Sequence, residues 1–104
     1  MLILAVRPQD FLDLDFSVFT QIKTVCSVMA GISVSKIQEQ TGVKNIIRTM
    51  PNLALSVGRG VTGVLEVGTI SAEISEVING TFSKVGKVVK LKDEDQIDHI
   101  TAMA

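Results

Sequence analysis

Apolar runs alternate with helical patterns along this chain of 104 residues, and the alternation constrains its fold more than any other feature. Residues 1–6, MLILAV, are a continuous apolar run, as expected of a strand that is buried on both faces of a parallel sheet. Residues 24–30 form a second such run, after which Ser33 caps a helix that Gly42 closes. Strands that are joined to helices by short loops predict an α/β fold with a mainly parallel sheet.

Two further helices are predicted from the spacing of apolar residues. Residues 9–22 follow Pro8, which suits the first turn of a helix. Their irregular helical face consists of Phe11, Leu12, Val18, Phe19 and Ile22. Within the same segment, Leu14, Phe16 and Val18 also alternate like a strand. Ser71 caps the other helix, in which apolar residues lie at offsets of 0, 3, 4, 8 and 11 from Ile74. Gly86 is expected to end this helix.

Three more strands complete the predicted sheet. The strand at 44–50 is followed by Pro51 and Asn52, whose turn chemistry is expected to end it. Apolar and partly β-branched content predicts strands at 60–67 and 87–91. The acidic KDED turn then leads to apolar residues at helical spacing, which predicts the start of a last helix.

Composition narrows the classes of function. Ten Lys and Arg against eleven Asp and Glu give a net charge of −1, so the basic excess of a nucleic-acid-binding protein is missing. Every uncharged stretch is shorter than the roughly 18 residues of a membrane-spanning helix, and no basic segment precedes the first apolar run, so we expect neither a membrane partner nor a secretory signal. Cys26 stands alone, which excludes an internal disulfide framework and fits a reducing, cytoplasmic setting.

Residues 58–63, GRGVTG, match the glycine pattern of dinucleotide-binding loops. That function requires a helix to begin at the third glycine, so that its N-terminus meets the pyrophosphate. Here VLEVG follows Gly63, and Ser83 stands twenty residues further on, where the pattern has an acidic residue. The context favours a flexible loop that enters a strand.

Two predicted loops at the carboxyl ends of strands are better candidates for a ligand site, because open α/β sheets bind ligands at that edge. Arg7 follows the first strand and could neutralise a phosphate or flank a ribose, or it could be a solvated arginine at a helix start. Met29, Ala30 and Gly31 follow the second strand. Small residues there would let a flat ring approach, although an ordinary strand-to-helix turn needs the same residue types.

The remaining reactive side chains favour structural roles. Cys26 lies in an apolar run, where a buried thiol packs in the core and is a poor nucleophile. His99 is the only histidine and cannot by itself supply a usual metal site. We therefore predict no catalytic set and no metal site. An acidic cluster lacks the glycine and alternating oxygen ligands of a calcium loop, which favours helix capping; its members are Asp93, Glu94, Asp95 and Asp98.

Four segments in order carry a family resemblance: LILAVRPQD at 2–10, SVMAGIS at 27–33, IIRTMPN at 46–52, and the tail VGKVVKL with QIDHITAMA. Together they resemble pyrroline-5-carboxylate reductase, the NAD(P)H-dependent enzyme of the last step of proline biosynthesis, over essentially the whole chain. The resemblance implies a Rossmann-like domain, NADP or NAD as cofactor, and 1-pyrroline-5-carboxylate as substrate.

The same resemblance implies site residues by position. In the family, the first two segments form the loops after the fourth and fifth strands of the domain and line the ribose and nicotinamide side of the cofactor. Two departures occur here, since the family usually has lysine at the position of Arg7 and two small residues where Met29 and Ala30 stand. Glu94 matches an acidic residue near the family's substrate site. The residues expected at the cofactor are Ala5, Val6, Arg7, Pro8, Val28, Met29 and Ala30.

Parts of the family's domain are expected to lie outside this sequence. The glycine fingerprint and the segment that discriminates NADP from NAD would precede Met1, and the family's TALSGSGPA run breaks off within residues 101–104. We therefore expect residues 1–92 to be a partial NAD(P)-binding domain that lacks the first strands of the sheet. Residues 93–104 would start the helix that leads to an absent C-terminal dimerisation domain, which completes the active site in the family.

The function hypothesis is a pyrroline-5-carboxylate reductase-like oxidoreductase fragment that is inactive as this chain alone, because hydride transfer needs both reactants held in register. Whether the chain is itself an enzyme stays open on sequence. One alternative is a non-catalytic α/β interaction module that pairs its sheet edge or last helix with another chain. Another is a gene fragment without function. A complementing chain or self-association would supply the partner.

Overall fold

The computed structural model describes residues 1–17, 21–54, 59–84 and 86–97. Within these residues the chain forms five strands and three helices. The strands are β1 (Leu2–Leu4), β2 (Thr24–Ser27), β3 (Asn45–Ala54), β4 (Arg59–Val67) and β5 (Gly86–Leu91). The helices are α1 (Pro8–Phe11), α2 (Val34–Thr41) and α3 (Ala72–Ser83).

The five strands form one sheet in which strand order follows chain order, β1-β2-β3-β4-β5. The pairs β1–β2, β2–β3 and β4–β5 are parallel, and β3–β4 is an antiparallel pair. Parallel neighbours need a crossover connection, and each of these three connections carries one of the three helices. The mainly parallel α/β sheet predicted from the alternation of apolar runs and helical patterns is confirmed.

The core lies on both faces of the sheet because successive side chains of a strand point to opposite sides. On one face, Val25 and Ile46 pack with Ile37 of α2. On the other face, Cys26 and Ile47 pack with Ile78 of α3. All of these side chains are buried, which explains why the early strand patterns are continuous rather than alternating.

The predicted helix caps are confirmed. The Ser33 hydroxyl accepts a hydrogen bond from the Lys36 amide at 3.2 Å, and Gly42 ends α2 in the left-handed region with φ 73°. The Ser71 hydroxyl accepts from the Ile74 amide at the start of α3, also at 3.2 Å. These bonds satisfy amides that a helix leaves without an internal partner at its first turn.

The predicted helix over residues 9–22 is wrong, because α1 ends at Phe11. Phe11 and Phe16 are both buried, with ring centroids 5.6 Å apart. Residues five apart on a helix project about 140° from each other, so a continuous helix would direct one ring away from the core. The helix gives way to turns after Phe11 instead, and both rings lie in the larger core. Val18 and Phe19, which contributed to that prediction, lie outside the described residues.

The end predicted for the third strand is also wrong. β3 continues through Pro51 and Asn52 to Ala54, and it pairs with β4 from Ile46 to Ala54. β2 covers β3 only as far as Arg48, so the later part of β3 has β4 as its one described neighbour. An edge segment of this kind tolerates a proline, which lacks the N–H that a central strand would require.

The role predicted for Gly86 is wrong as well. α3 ends at Ser83, with Lys84 as its C-cap in the right-handed region, and Gly86 begins β5. Gly86 pairs with Gly60 of β4, and a Cβ atom at Gly86 would overlap the Gly60 backbone. Glycine is therefore needed here for the close approach of two strands. Val85, the last apolar position of the predicted helix, lies outside the described residues.

A helical turn follows β5 at the end of the described chain. The Gln96 amide donates to the Asp93 carbonyl at 3.3 Å, and the Ile97 amide donates to the Glu94 carbonyl at 3.0 Å. Ile97 is buried in the larger core. The later residues of the predicted last helix lie outside the described residues. Within the described part of the chain, no helix has the length and apolar character needed to cross a membrane.

Candidate functional site

The segments that follow β1 and β2 lie side by side at the carboxyl edge of the parallel strands. The strands predicted at 1–6 and 24–30 end earlier than expected, at Leu4 and Ser27, so the ends of both apolar runs are loops. The Val28 amide donates a hydrogen bond to the Leu4 carbonyl at 3.1 Å, which ties the second loop to the end of β1. The structure thus brings together the two segments with the residues expected at a cofactor: Ala5, Val6, Arg7 and Pro8 on one, and Val28, Met29 and Ala30 on the other.

Buried residues of β2 and β3 hold the start of the loop after β2 in place. The Ser27 hydroxyl accepts from the Met29 amide, and the Thr49 hydroxyl donates to the Ser27 carbonyl, both at 3.1 Å. The Met29 side chain packs in the larger core, whereas Ala30 is exposed. Met29, which is larger than the residue usual in the family, therefore offers a ligand only its backbone. Ala30 presents a methyl group that leaves room for a flat ring.

Arg7 forms a two-contact ion pair with Asp10. Its Nε atom lies 2.7 Å from Oδ2, and its Nη2 atom lies 3.2 Å from Oδ1. The arginine side chain is 71% exposed, and exposed pairs contribute only about 0–1 kcal/mol to stability. Arg7 is thus a solvated arginine at a helix start, and little free energy opposes its transfer from Asp10 to a ligand anion.

A pair of charged residues that the sequence did not predict lies beside this loop. Arg48 is on β3 and is only 6% exposed, and its Nη1 atom contacts Oε2 of Glu94. The other carboxylate oxygen of Glu94, Oε1, accepts a hydrogen bond from the Val34 amide at the start of α2, at 3.0 Å. One carboxylate therefore joins β3, α2 and the segment after β5.

The strand register explains how Glu94 reaches Arg48. β5 ends two strands away from β3, and neighbouring strands are about 4.8 Å apart, so roughly 10 Å separates the end of β5 from Arg48. Glu94 follows the last residue of β5 by three positions, and an extended chain spans about 3.3–3.6 Å per residue. Arg48 and Leu91, the last residue of β5, lie in the same row across the sheet, together with Leu4, Ser27 and Leu65. The three residues after Leu91 are therefore enough to bring Glu94 to Arg48.

A polar cavity of about 380 Å³ opens at this pair. Such a volume lies within the range of roughly 300–1,000 Å³ that is typical of small-ligand sites. Arg48 Nε, which is buried, has no hydrogen-bond partner among the described residues. The cavity brings the predicted substrate-side residue, Glu94, next to the end of the predicted cofactor loop; its lining residues are Gly31, Ser33, Arg48, Glu94 and Asp95.

Other candidate groups have structural positions. Cys26 is buried in the core as predicted, and burial raises the pKa of its thiol to about 11, so it is a neutral thiol near pH 7. The described part of GRGVTG, residues 59–63, lies in β4, which confirms that the pattern enters a strand. Among the described residues, no three His, Cys, Asp or Glu side chains are grouped as metal ligands would be. His99 and Asp98 lie outside those residues.

Several known reductases resemble this chain in sequence, in fold or in both. No protein-family model matches the chain. A pyrroline-5-carboxylate reductase from Pasteurella multocida (strain Pm70) is 33% identical over 107 aligned residues, which cover 98% of this chain and 38% of that protein. A solved pyrroline-5-carboxylate reductase from Coxiella burnetii has a TM-score of 0.82 at 28% identity, and the match covers 97% of this chain and 39% of that chain. Plasmodium falciparum pyrroline carboxylate reductase, solved with NADP bound, has a TM-score of 0.76 at 23% identity over 97% of this chain and 42% of that chain, a likeness of fold alone.

The fold and the paired strand-end loops define a Rossmann-like α/β protein. Within that class, sequence identity and fold both relate the chain to one family. The chain is pyrroline-5-carboxylate reductase-like over nearly its whole length. The resemblance read from the four sequence segments is thereby confirmed. The chain spans about two fifths of the length of the Pasteurella multocida and Coxiella burnetii reductases.

Proposed function

We propose that this chain is the second half of a nicotinamide-cofactor-binding domain, and that it presents one side of the cofactor site of a pyrroline-5-carboxylate reductase. The observation that carries the proposal is the hydrogen bond from the Val28 amide to the Leu4 carbonyl, because it holds the loop after β2 against the end of β1, at the edge where open α/β sheets bind ligands. The NADP bound to the Plasmodium falciparum reductase supports NADP as the cofactor class, with NAD as the alternative.

The residues on these loops fit the ribose and nicotinamide side of such a cofactor. Ala30 is small and exposed, and Arg7 is an exposed cation in a weak surface pair. In the proposal, Ala5, Val6, Arg7 and Pro8 line one wall, and Val28, Met29 and Ala30 line the other, with Met29 contributing its backbone. Glu94 belongs to the substrate side, where the polar cavity adjoins the loop.

The reaction proposed for the complete enzyme is the reduction of 1-pyrroline-5-carboxylate to L-proline. The bound cofactor supplies the hydride, which adds to the imine carbon, and a proton completes the amine. This chain's contribution is to hold and orient the ring that gives the hydride, since positioning two reactants accounts for a large part of catalysis. A single Cys without a disulfide partner supports a reducing, cytoplasmic setting.

We propose that the chain by itself does not catalyse this reaction. Residues 59–63 of the glycine pattern GRGVTG form part of β4. This pattern therefore offers no turn before a helix that could bind the pyrophosphate. Residues 1–92 act in this proposal as a partial NAD(P)-binding domain, and residues 93–104 begin the connection to a dimerisation domain. A complementing chain, or self-association, would complete the site.

Titration of the purified chain with NADPH, followed by fluorescence or calorimetry, tests the cofactor proposal. We expect saturable binding below millimolar concentration. Ala30→Leu should weaken it about tenfold or more, because a larger side chain removes at least about 1.4 kcal/mol of ring contact. Ala72→Leu, an equal change at an exposed position on α3, should leave binding unchanged. Absence of saturable binding below millimolar NADPH, or equal effects of the two variants, would contradict the proposal.

One observation favours the alternative of an interaction module. β1 lies at the edge of the described sheet, and Ile3 is 58% exposed there. Exposed apolar edge strands tend to pair with another chain. A chain that associates in size-exclusion chromatography without binding NADPH would support the interaction module. A monomer that binds nothing would support a fragment without function.

A further inference from the structure

Both carboxylate oxygens of Glu94 are engaged by protein groups. Oε2 contacts the Arg48 guanidinium, and Oε1 accepts from the Val34 amide at 3.0 Å. The Glu94 side chain is 31% exposed, whereas that of Arg48 is 7% exposed. A carboxylate already bound to a cation and a backbone amide has less capacity to bind a ligand than the exposed Asp95 beside it.

The buried charge of Arg48 requires an acidic partner, and Glu94 provides it. A buried arginine without a counter-charge is strongly unfavourable, and removing one partner of a buried pair costs far more than the pair contributes. Among the described residues, Glu94 is the acidic partner of Arg48. The two residues are 46 positions apart in the chain, so their contact fixes the segment after β5 against the middle of β3.

The contact with Val34 extends this restraint to the cofactor loop. The Val34 amide is the first of α2 and lies at the positive end of the helix dipole, where a negative charge is stabilising. The loop after β2 enters α2 through Gly31, whose φ of 75° is left-handed, and then through the cap residue Ser33. Holding Val34 therefore fixes the far end of a loop whose near end is held by Ser27.

We propose that Glu94 is a positioning residue for the cofactor loop rather than a cofactor contact: its carboxylate couples Arg48 to the N-terminus of α2 and so sets the position of the loop that bears Ala30. This inference rests on the proposed function only in assigning that loop to the cofactor. The coupling itself concerns contacts within the chain.

Amide hydrogen exchange of the full chain, resolved by NMR, tests the coupling directly. In Glu94→Ala, exchange of the Val34 amide should accelerate about tenfold or more, since a hydrogen bond to a charged acceptor is lost. The Ile74 amide at the start of α3 donates to the Ser71 hydroxyl, far from Glu94 in the chain. It therefore provides an internal reference for changes in global stability. Its exchange should change less than that of Val34.

Two milder variants separate the carboxylate's two contacts. Glu94→Gln keeps an oxygen that can accept from Val34 but removes the charge that faces Arg48, so it should accelerate Val34 exchange less than Glu94→Ala does. Arg48→Lys keeps a cation at Glu94 and should restore most of the protection that Arg48→Gln loses. Glu66→Gln is the matched control on the other face, where Glu66 accepts from the Ser75 hydroxyl at 2.7 Å; it should leave Val34 unchanged.

NADPH binding then separates positioning from direct contact. If Glu94 acts by positioning, Glu94→Ala and Arg48→Gln should weaken NADPH binding by similar factors, and the double variant should be no weaker than either, because the two residues act through one contact. Unchanged Val34 exchange in Glu94→Ala would overturn the proposal, as would additive losses in the double variant. Absence of NADPH binding in the wild-type chain contradicts the proposed function alone, because the exchange measurements still decide the coupling.

Discussion

Burial changes the acid–base chemistry of the Cys26 thiol. Its pKa rises from 9.0 to about 11 because the interior disfavours the thiolate. The unfolded chain therefore loses this proton at a lower pH than the folded chain does. Between pH 9 and 11 the folded state holds more protons, so the free energy of unfolding falls as pH rises through this range.

We expect two results for Cys26. Its reaction with a thiol reagent at pH 8 should be slow in the native chain and fast in denaturant. The free energy of unfolding, measured with urea from pH 8 to 11, should fall more steeply in the wild type than in Cys26→Ala. Equal slopes for the two proteins would show that the buried thiol does not contribute to alkaline instability.

Gly86 gives a second prediction for a single residue. Gly86→Ala places a methyl group against the Gly60 backbone, which we expect to destabilise the chain by about 1–3 kcal/mol, as other overpacked sites do. Gly80→Ala is the matched control, since Gly80 lies within α3 with open space around it. It should stabilise the chain by about 0.5–1 kcal/mol through helix propensity. Urea unfolding measures both, and the same sign for the two changes would contradict the steric explanation.

At the scale of elements, the loop after α1 depends on one side chain of α2. The Gln40 amide nitrogen donates to the carbonyls of Leu12 and Leu14, at 3.2 Å and 3.3 Å. These carbonyls belong to a segment that was predicted to be helical. The side chain of a neighbouring helix thus replaces hydrogen bonds that a continued helix would have made.

Gln40→Ala should therefore destabilise the chain by about 0.5–1.5 kcal/mol, the usual net contribution of a hydrogen bond, because the carbonyls of Leu12 and Leu14 lose their donor. Gln9→Ala, at an exposed position of α1, should change the free energy of unfolding by less than about 0.5 kcal/mol. Thermal and urea unfolding of the two variants provide the comparison. A Gln40 variant as stable as the Gln9 variant would remove the role assigned to this side chain.

Elements defined by neighbouring residues could be predicted from the sequence, and those defined by distant contacts could not. Ser33, Gly42 and Ser71 act within a few positions of themselves, so their caps were predictable. The end of α1 at Phe11 and the continuation of β3 through Pro51 depend on packing and on where β2 ends, which no local pattern encodes.

The same distinction applies to the candidate site. The carboxyl edge of the strands follows from the alternation of strands and helices, so the loops bearing Arg7 and Ala30 could be located in advance. The pair of Arg48 and Glu94 could not be, since 46 positions separate them. The sequence contained one indication of this pair: Arg48 interrupts an apolar strand, two residues after Ile46 and therefore on the same buried face.

At the scale of the whole molecule, the sheet has an exposed apolar edge at β1. Ile3→Lys should reduce any concentration-dependent association, because a charged edge residue disfavours pairing with another strand. Val77→Lys is the matched control, since Val77 is 57% exposed on α3, away from that edge. Size-exclusion chromatography over a range of concentrations distinguishes the two. Equal effects would indicate general hydrophobic association rather than edge pairing.

The strand lengths also imply an order of folding and of opening. The hairpin of β3 and β4 pairs nine residues through a short connection, so it can form early, before contacts that close longer loops. β1 pairs through three residues only, and short peripheral elements open at low free energy. A ligand at residues 5–8 would be held next to the strand that opens most easily, and its binding would slow that opening in proportion to its occupancy. The affinity of such a ligand and the lifetime of the pairing between β1 and β2 should therefore rise together.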